Sequence, residues 1–136
     1  MLSLGNYEEM IELIVNISNR IGVEASILLA ICSVESDLRN TINYQDGKYN
    51  SYGVCQVQRR TAQGIKPHLD AISLMIPEVN IEIAAIYLKQ RIDKYGTLKG
   101  IAAYNSGSPK YKNNELINKE YVNKVLKRQQ LYASSN

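Results

Sequence analysis

The chain contains neither tryptophan nor phenylalanine, so its aromatic contacts must come from ten tyrosines, rings that also carry a hydroxyl. It has one histidine and two cysteines, Cys32 and Cys55. That set cannot supply a zinc site with sensible spacing, and no metal or other cofactor is expected. Two cysteines are also too few for a disulfide framework. The residues alone favour a pair of free buried thiols. One bridge is the alternative if the protein matures outside the cytosol. No glycine-rich phosphate loop of the nucleotide-binding kind occurs. No apolar run approaches the ~20 residues that span a bilayer, so membrane insertion is not expected. The first residues, MLSLGNYEEM, lack a basic start and an apolar block and do not read as a signal peptide. The protein is then expected to work where it is made, or to be carried out by something else, unless a leader has been removed.

What remains is a chain of 136 residues, enough for one domain with a real core. That domain is expected over residues 1–136, with its core at about 6–131 and a frayed tail at 132–136. A net charge of +3 favours anionic surroundings, such as nucleic acid or a cell-wall polymer, only weakly. There are no internal repeats, and a monomer is expected.

Apolar spacing predicts a mainly α protein of six or seven helices. The first is capped near Asn6, has Glu8 and Glu9 in its first turn, and carries a stripe of Met10, Ile11, Ile14, Val15, Ile17 and Ile21. Gly22 stops it. The second, from about Val23 to Asp37, is apolar on nearly every side, which marks a buried helix. Texture then changes. Asp46-Gly47 signals a turn, so a short hairpin or irregular β segment is expected near 44–57, with a brief strand from Tyr52 to Val57. Short helices follow near Arg60–Gly64 and Ala71–Ile76. A long one runs from Glu78 to Tyr95 with Pro77 in its first turn. Thr97 caps the next, through Tyr104, and the last is expected from about Asn114 to Leu131. Lys119, Lys124, Lys127 and Arg128 give that helix a basic, solvated face.

The anomaly is Glu35, an acid at the tip of the buried second helix. Burial disfavours its charged form, the helix C-terminus adds partial negative charge, and Ile31 and Cys32 one turn back offer no cation. A free glutamic acid titrates at about 4.3. A value raised to about 6 would leave a proton donor near neutral pH. The competing reading is an ion pair with Arg39, which on an exposed helix is worth only about 0.3–0.5 kcal/mol.

Glu35-Ser36, then Ser51-Tyr52-Gly53-Val54-Cys55-Gln56-Val57, then Asn80, then Ala102-Ala103-Tyr104-Asn105-Ser106-Gly107, then Tyr121-Val122 fall in a fixed order. Together they resemble the lytic transglycosylase domain of the soluble lytic transglycosylase type, related in fold to goose-type lysozyme. The resemblance spans about Ile21 to Leu126 and implies a lysozyme-like domain. It implies Glu35 as the catalytic acid, with Ser36 supporting the helix end. Gly53 to Gln56 matches the family's Gly-Leu-Met-Gln segment, making Gln56 a sugar-contacting amide with Ser51 beside it. Thr61-Ala62 matches too, with Arg59 where the family usually has proline. Pro77 to Ile81 matches the approach to the long helix, where Asn80 is read as a helix-start hydrogen bonder. Tyr104 and Asn105 lie in the cleft-lining motif, and Tyr121 brings its hydroxyl near the acid. Cys55 replaces the family's methionine, and a changed pocket wall is expected from it.

The substrate so implied is the peptidoglycan glycan, cut between N-acetylmuramic acid and N-acetylglucosamine with formation of a 1,6-anhydro end. Three rivals stand beside it. A hydrolytic muramidase on the same fold needs a second carboxylate, for which only Asp37 and Asp46 are near. A helix-turn-helix binder would read DNA with Ala25–Ser36, which offers no Arg, Lys, Asn or Gln to base edges, so no nucleic-acid partner is expected. A catalytically dead wall-binding module would not need Glu35. A wall enzyme acts in the periplasm or outside the cell. Without a leader, it is expected to be a phage lysis or virion protein, or a component delivered by an export or injection machine.

Overall fold

A computed structural model of the protein describes residues 4–45 and 49–134. Among them are seven helices: α1 Leu4–Ile21, α2 Ala25–Ser36, α3 Arg59–Ile65, α4 Ala71–Leu74, α5 Pro77–Tyr95, α6 Thr97–Ser106 and α7 Lys119–Ser134. Two small antiparallel sheets accompany them. Strands β1 Ile42–Asn43, β2 Ser51–Tyr52 and β3 Val57–Gln58 form one, with Ile42 opposite Tyr52 and Tyr52 opposite Val57. Strands β4 Tyr111–Lys112 and β5 Glu115–Leu116 form the other. The Asp46-Gly47 turn lies outside the described residues. No helix among the described residues is long and apolar enough to cross a membrane.

The core sits around α2. Every residue from Ile27 to Ser33 is buried, because this helix has no polar face to turn outward. α7 and α1 pack against it, while α5 packs against α1 and α6. The α5–α6 contact is close because Gly100 has no side chain: a Cβ there would come 2.7 Å from the Ile92 Cα.

Four expectations need correction. Cys32 and Cys55 are joined in a disulfide, their Cα atoms 4.3 Å apart, and are not free thiols. The segment 52–57 is not one strand: Gly53 (φ 79°) and Gln56 (φ 52°) turn the chain between β2 and β3. The last helix runs from Lys119 to Ser134, not from about Asn114 to Leu131, and Tyr132, expected in a frayed tail, packs against the core. Asn113 and Asn114 both adopt left-handed backbone, φ 54° and 66°, and form the tip of the β4–β5 hairpin. Asparagine tolerates that conformation, and two such residues in succession suit a tight hairpin turn. Finally, Arg128 is not simply part of a solvated basic face, since it donates to the Ser33 hydroxyl on α2. Smaller shifts occur at helix starts: α1 already includes Asn6, and Gly96 (φ 85°), not Thr97, caps α6.

At its C-terminal end α2 stops abruptly. Asp37 and Leu38 take left-handed backbone, φ 57° and 61°, at about 1–2 kcal/mol each. The turn drives Leu38 back into the core, where it is fully buried, and that burial returns about 1.5–3 kcal/mol. The near balance lets the chain reverse directly after Glu35.

The bridge closes a loop with a sequence separation of 23, worth about 3 kcal/mol by chain-entropy arithmetic. Reduction, or replacement of both cysteines by serine, should lower the unfolding free energy in urea by about 2–4 kcal/mol. An unfolding midpoint indifferent to reductant would count against the bridge.

Candidate active site

Glu35 lies in the last turn of α2, part-buried, and its Oε2 accepts a hydrogen bond from the Tyr121 hydroxyl at 3.0 Å. Burial pushes its pKa from the usual 4.5 up to about 7, and the Tyr121 bond pulls only weakly the other way. Arg39 does not pair with it. That guanidinium lies 3.8 Å from Asp37 on the exposed surface. The phenols of Tyr104 and Tyr121 are pushed well above their usual value, by burial first and by the Glu35 charge second. Both hydroxyls therefore stay protonated and can act as donors.

Beside Glu35 opens a cavity of about 760 Å³. The strand region contributes Asn43, Gln45, Tyr49, Ser51, Gln56, Val57 and Gln58 to its walls. α3 contributes Arg60 and Thr61, α5 contributes Tyr87, and α6 with the loop after it contributes Tyr104, Asn105, Ser106, Gly107 and Lys110. Glu35 is the only carboxylate in this lining among the described residues. Asp37 is spent on its surface pair with Arg39, and Asp46 lies outside the described residues.

Glu35, Ser51, Gln56, Tyr104 and Asn105 thus come together around one cavity. Tyr121 does not line it and reaches the site through its bond to Glu35. The side-chain amide of Gln56 donates to the carbonyls of Thr41 (3.1 Å) and Gly53 (2.9 Å), which fixes its left-handed backbone in place. The Tyr104 hydroxyl donates to the Cys55 carbonyl at 2.8 Å, so it is the ring that faces the cavity.

Three residues hold the walls. The Ser36 hydroxyl donates to the Val54 carbonyl at 2.5 Å, tying the end of α2 to the 53–56 turn. Asn80 is fully buried in α5: its Oδ1 accepts the Cys55 N–H at 2.9 Å, and its Nδ2 donates to Tyr52 (2.7 Å) and Leu74 (2.9 Å) carbonyls. Gly53 makes room for that amide, since a Cβ there would stand 2.3 Å from Asn80 Nδ2. Cys55 itself is fully buried and does not line the cavity. The changed pocket wall expected from it is therefore replaced by a cross-link behind the wall.

Asn43, Gln45, Gln58, Tyr87 and Lys110 line the cavity without having stood out in the sequence. Helical spacing puts Tyr87 with the apolar residues of α5, and its ring does pack 5.5 Å from that of Tyr104. The available signal was its hydroxyl, which needs an outlet that isoleucine does not. The short polar strands carried no comparable signal, because two-residue strands show no alternation.

Residues 12–126 match the transglycosylase SLT domain. Among solved structures, the chain resembles the X-ray structure of an inactive mutant of lytic transglycosylase Slt from Pseudomonas aeruginosa, with a TM-score of 0.74 and 20% sequence identity. That likeness, one of fold, covers 91% of this chain and 24% of the other, so the chain spans about a quarter of its structural neighbour. No curated protein sequence matches it.

Two outcomes follow from the geometry. Between the usual 4.5 and about 7, Glu35 is protonated in the folded protein and ionised in the unfolded one. Stability contributed by this group is therefore full below pH 4.5 and lost as pH rises through about 7. Glu35→Gln cannot ionise, so its melting temperature should exceed that of wild type at pH 8 and match it near pH 4.5; equal shifts at both pH values would refute the buried acid. Asn80→Ala leaves the Cys55 N–H and two carbonyls without partners and should cost about 2–4 kcal/mol in denaturant unfolding.

Proposed function

Because the chain belongs to the transglycosylase SLT domain family, we propose that it is a peptidoglycan lytic transglycosylase in which Glu35 acts first as acid and then as base. The carrying observation is a carboxylic acid held near pKa 7 beside a cavity that has no second carboxylate among the described residues. An enzyme that activates water on the far face of the sugar needs that second group. An enzyme that lets the substrate supply the nucleophile does not.

In this mechanism protonated Glu35 gives its proton to the oxygen linking N-acetylmuramic acid to N-acetylglucosamine. The bond from the anomeric carbon to that oxygen breaks, and the N-acetylglucosamine 4-hydroxyl leaves. The muramic acetamido group supports the cationic carbon that remains. The Glu35 carboxylate then takes the proton of the muramic 6-hydroxyl, whose oxygen closes on the anomeric carbon. A 1,6-anhydro ring forms, no water is consumed, and Glu35 is again protonated. Ser51, Gln56, Tyr104 and Asn105 hold the glycan in the cleft, and Tyr121 steadies the carboxylate. Holding the 6-hydroxyl close to the anomeric carbon is where much of the rate arises. The cell wall is the place of action.

Purified sacculi digested with wild-type enzyme should yield anhydromuropeptides, one water lighter by mass than the hydrolytic products. Glu35→Gln should lower the rate by about 10²–10⁴-fold while the fold is retained. Reducing ends in place of anhydro ends would replace this mechanism with hydrolysis. Full activity in Glu35→Gln would remove Glu35 from the chemistry.

A further inference from the structure

Asn105, at the end of α6, is exposed at the cavity wall. A side-chain amide has an acceptor end and a donor end, and the two recognise opposite partners. Which end faces the cleft is decided by a residue outside it. Asn118 stands immediately before α7, and its Nδ2 donates both to the Ala102 carbonyl and to Asn105 Oδ1, each at 2.9 Å. The Ala102 carbonyl can only accept, so Asn118 must turn its NH₂ group toward it. The same NH₂ then meets Asn105, which must answer with its oxygen. The NH₂ of Asn105 is left over for the cavity.

The arrangement is forced even though it is imperfect. Asn118 Oδ1 is buried without a partner. Reversing that amide would set its oxygen against the Ala102 oxygen and bury an unsatisfied NH₂ in exchange, which is worse on both counts. Reversing Asn105 alone would oppose two NH₂ groups. The chain from Ala102 through Asn118 to Asn105 therefore has one consistent order.

We propose that Asn118 is a positioning residue that presents the Asn105 amide N–H to an amide carbonyl oxygen of the bound glycan. This rests on the glycan reading of the cleft and gives it a chemical preference: a substituent that accepts, not one that donates. Two parts of the polymer carry such a carbonyl, the acetamido group of a sugar and the lactyl amide that joins muramic acid to its stem peptide.

The test uses soluble glycan-strand fragments and steady-state kinetics on the full chain. Asn118→Ala should raise KM about tenfold with kcat little changed, the size expected for one hydrogen bond misdirected. Asn105→Asp keeps the acceptor for Asn118 but has no donor for the cleft, and should raise KM at least as much. In an Asn105→Ala background, adding Asn118→Ala should change KM no further, whereas a purely structural tie between α6 and α7 would add its own effect. Melting temperatures of all variants separate loss of fold from loss of recognition. Fragments stripped of stem peptides with the freed lactyl carboxyl reduced to an alcohol, and fragments de-N-acetylated with peptides kept, each bound to the inactive Glu35→Gln variant with and without Asn118→Ala, distinguish the two carbonyls. The Asn118→Ala penalty should vanish on the one that lacks the recognised group. An unchanged KM for Asn118→Ala, additive effects in the double variant, or a penalty surviving on both modified substrates would overturn the assignment. Failure of wild type to cleave any fragment would instead overturn the glycan reading beneath it.

Discussion

All three bonding groups of Cys55 are engaged, each to a different part of the fold. Its sulfur is joined to Cys32 on α2, its N–H donates to Asn80 on α5, and its carbonyl accepts from Tyr104 on α6. The preceding carbonyl, Val54, accepts from Ser36 at the end of α2. Four ties from three helices thus converge on two consecutive residues. The 53–56 turn would otherwise be a weak element, with left-handed backbone at Gly53 and Gln56. Such backbone at Gln56 costs about 1–2 kcal/mol, whereas leaving any one of the buried partners unsatisfied costs about 1–3 kcal/mol. The ties prevail, and the cavity wall is fixed relative to the helix that carries the acid.

That fixing matters because the acid is itself destabilising when ionised. Raising Glu35 from 4.5 to about 7 corresponds to roughly 3 kcal/mol against the folded state above neutral pH. The magnitude is close to what the Cys32–Cys55 bridge contributes through the unfolded chain. A site built around a desolvated carboxyl is tolerated here because the cross-link lies one turn of helix away from it. Tyr121 relieves a little of the penalty without cancelling it, since a neutral phenol lowers the pKa far less than a cation would. The nearest arginine in sequence, Arg39, is turned away by the reversal at Asp37 and Leu38.

How much of this was legible depends on whether the signal was local. The apolar wrap of α2, its end near Glu35-Ser36 and the start of α5 at Pro77 are local, and the structure follows them to within a few residues. The shared cavity of Glu35, Ser51, Gln56, Tyr104 and Asn105 was reachable through the order of motifs. The disulfide was not: two cysteines 23 residues apart carry no pattern, and their pairing exists only once α2 and the 53–56 turn meet. The β4–β5 hairpin was disguised because Leu116 and Ile117 continue the helical spacing of α7, while the true cue was the pair Asn113-Asn114. Asn118 sits in no motif. Its role depends on which atom of a neighbour can only accept, and sequence does not contain that.

A pKa near 7 has a further meaning for the proposed mechanism. A carboxyl at its usual 4.5 would be almost wholly ionised at neutral pH and would rarely hold the proton it must give. One raised much higher would hold its proton firmly and protonate the leaving oxygen poorly. Poised near 7, the same group is populated as acid before bond cleavage and, once ionised, is a stronger base than an exposed carboxylate. One residue can then take both proton-transfer steps in turn. A second acid placed beside it would raise the pKa further through like-charge repulsion and upset that poise. Among the described residues Glu35 is the one carboxylate in the lining, with Arg60 and Lys110 as the other charged members, and that fits the requirement.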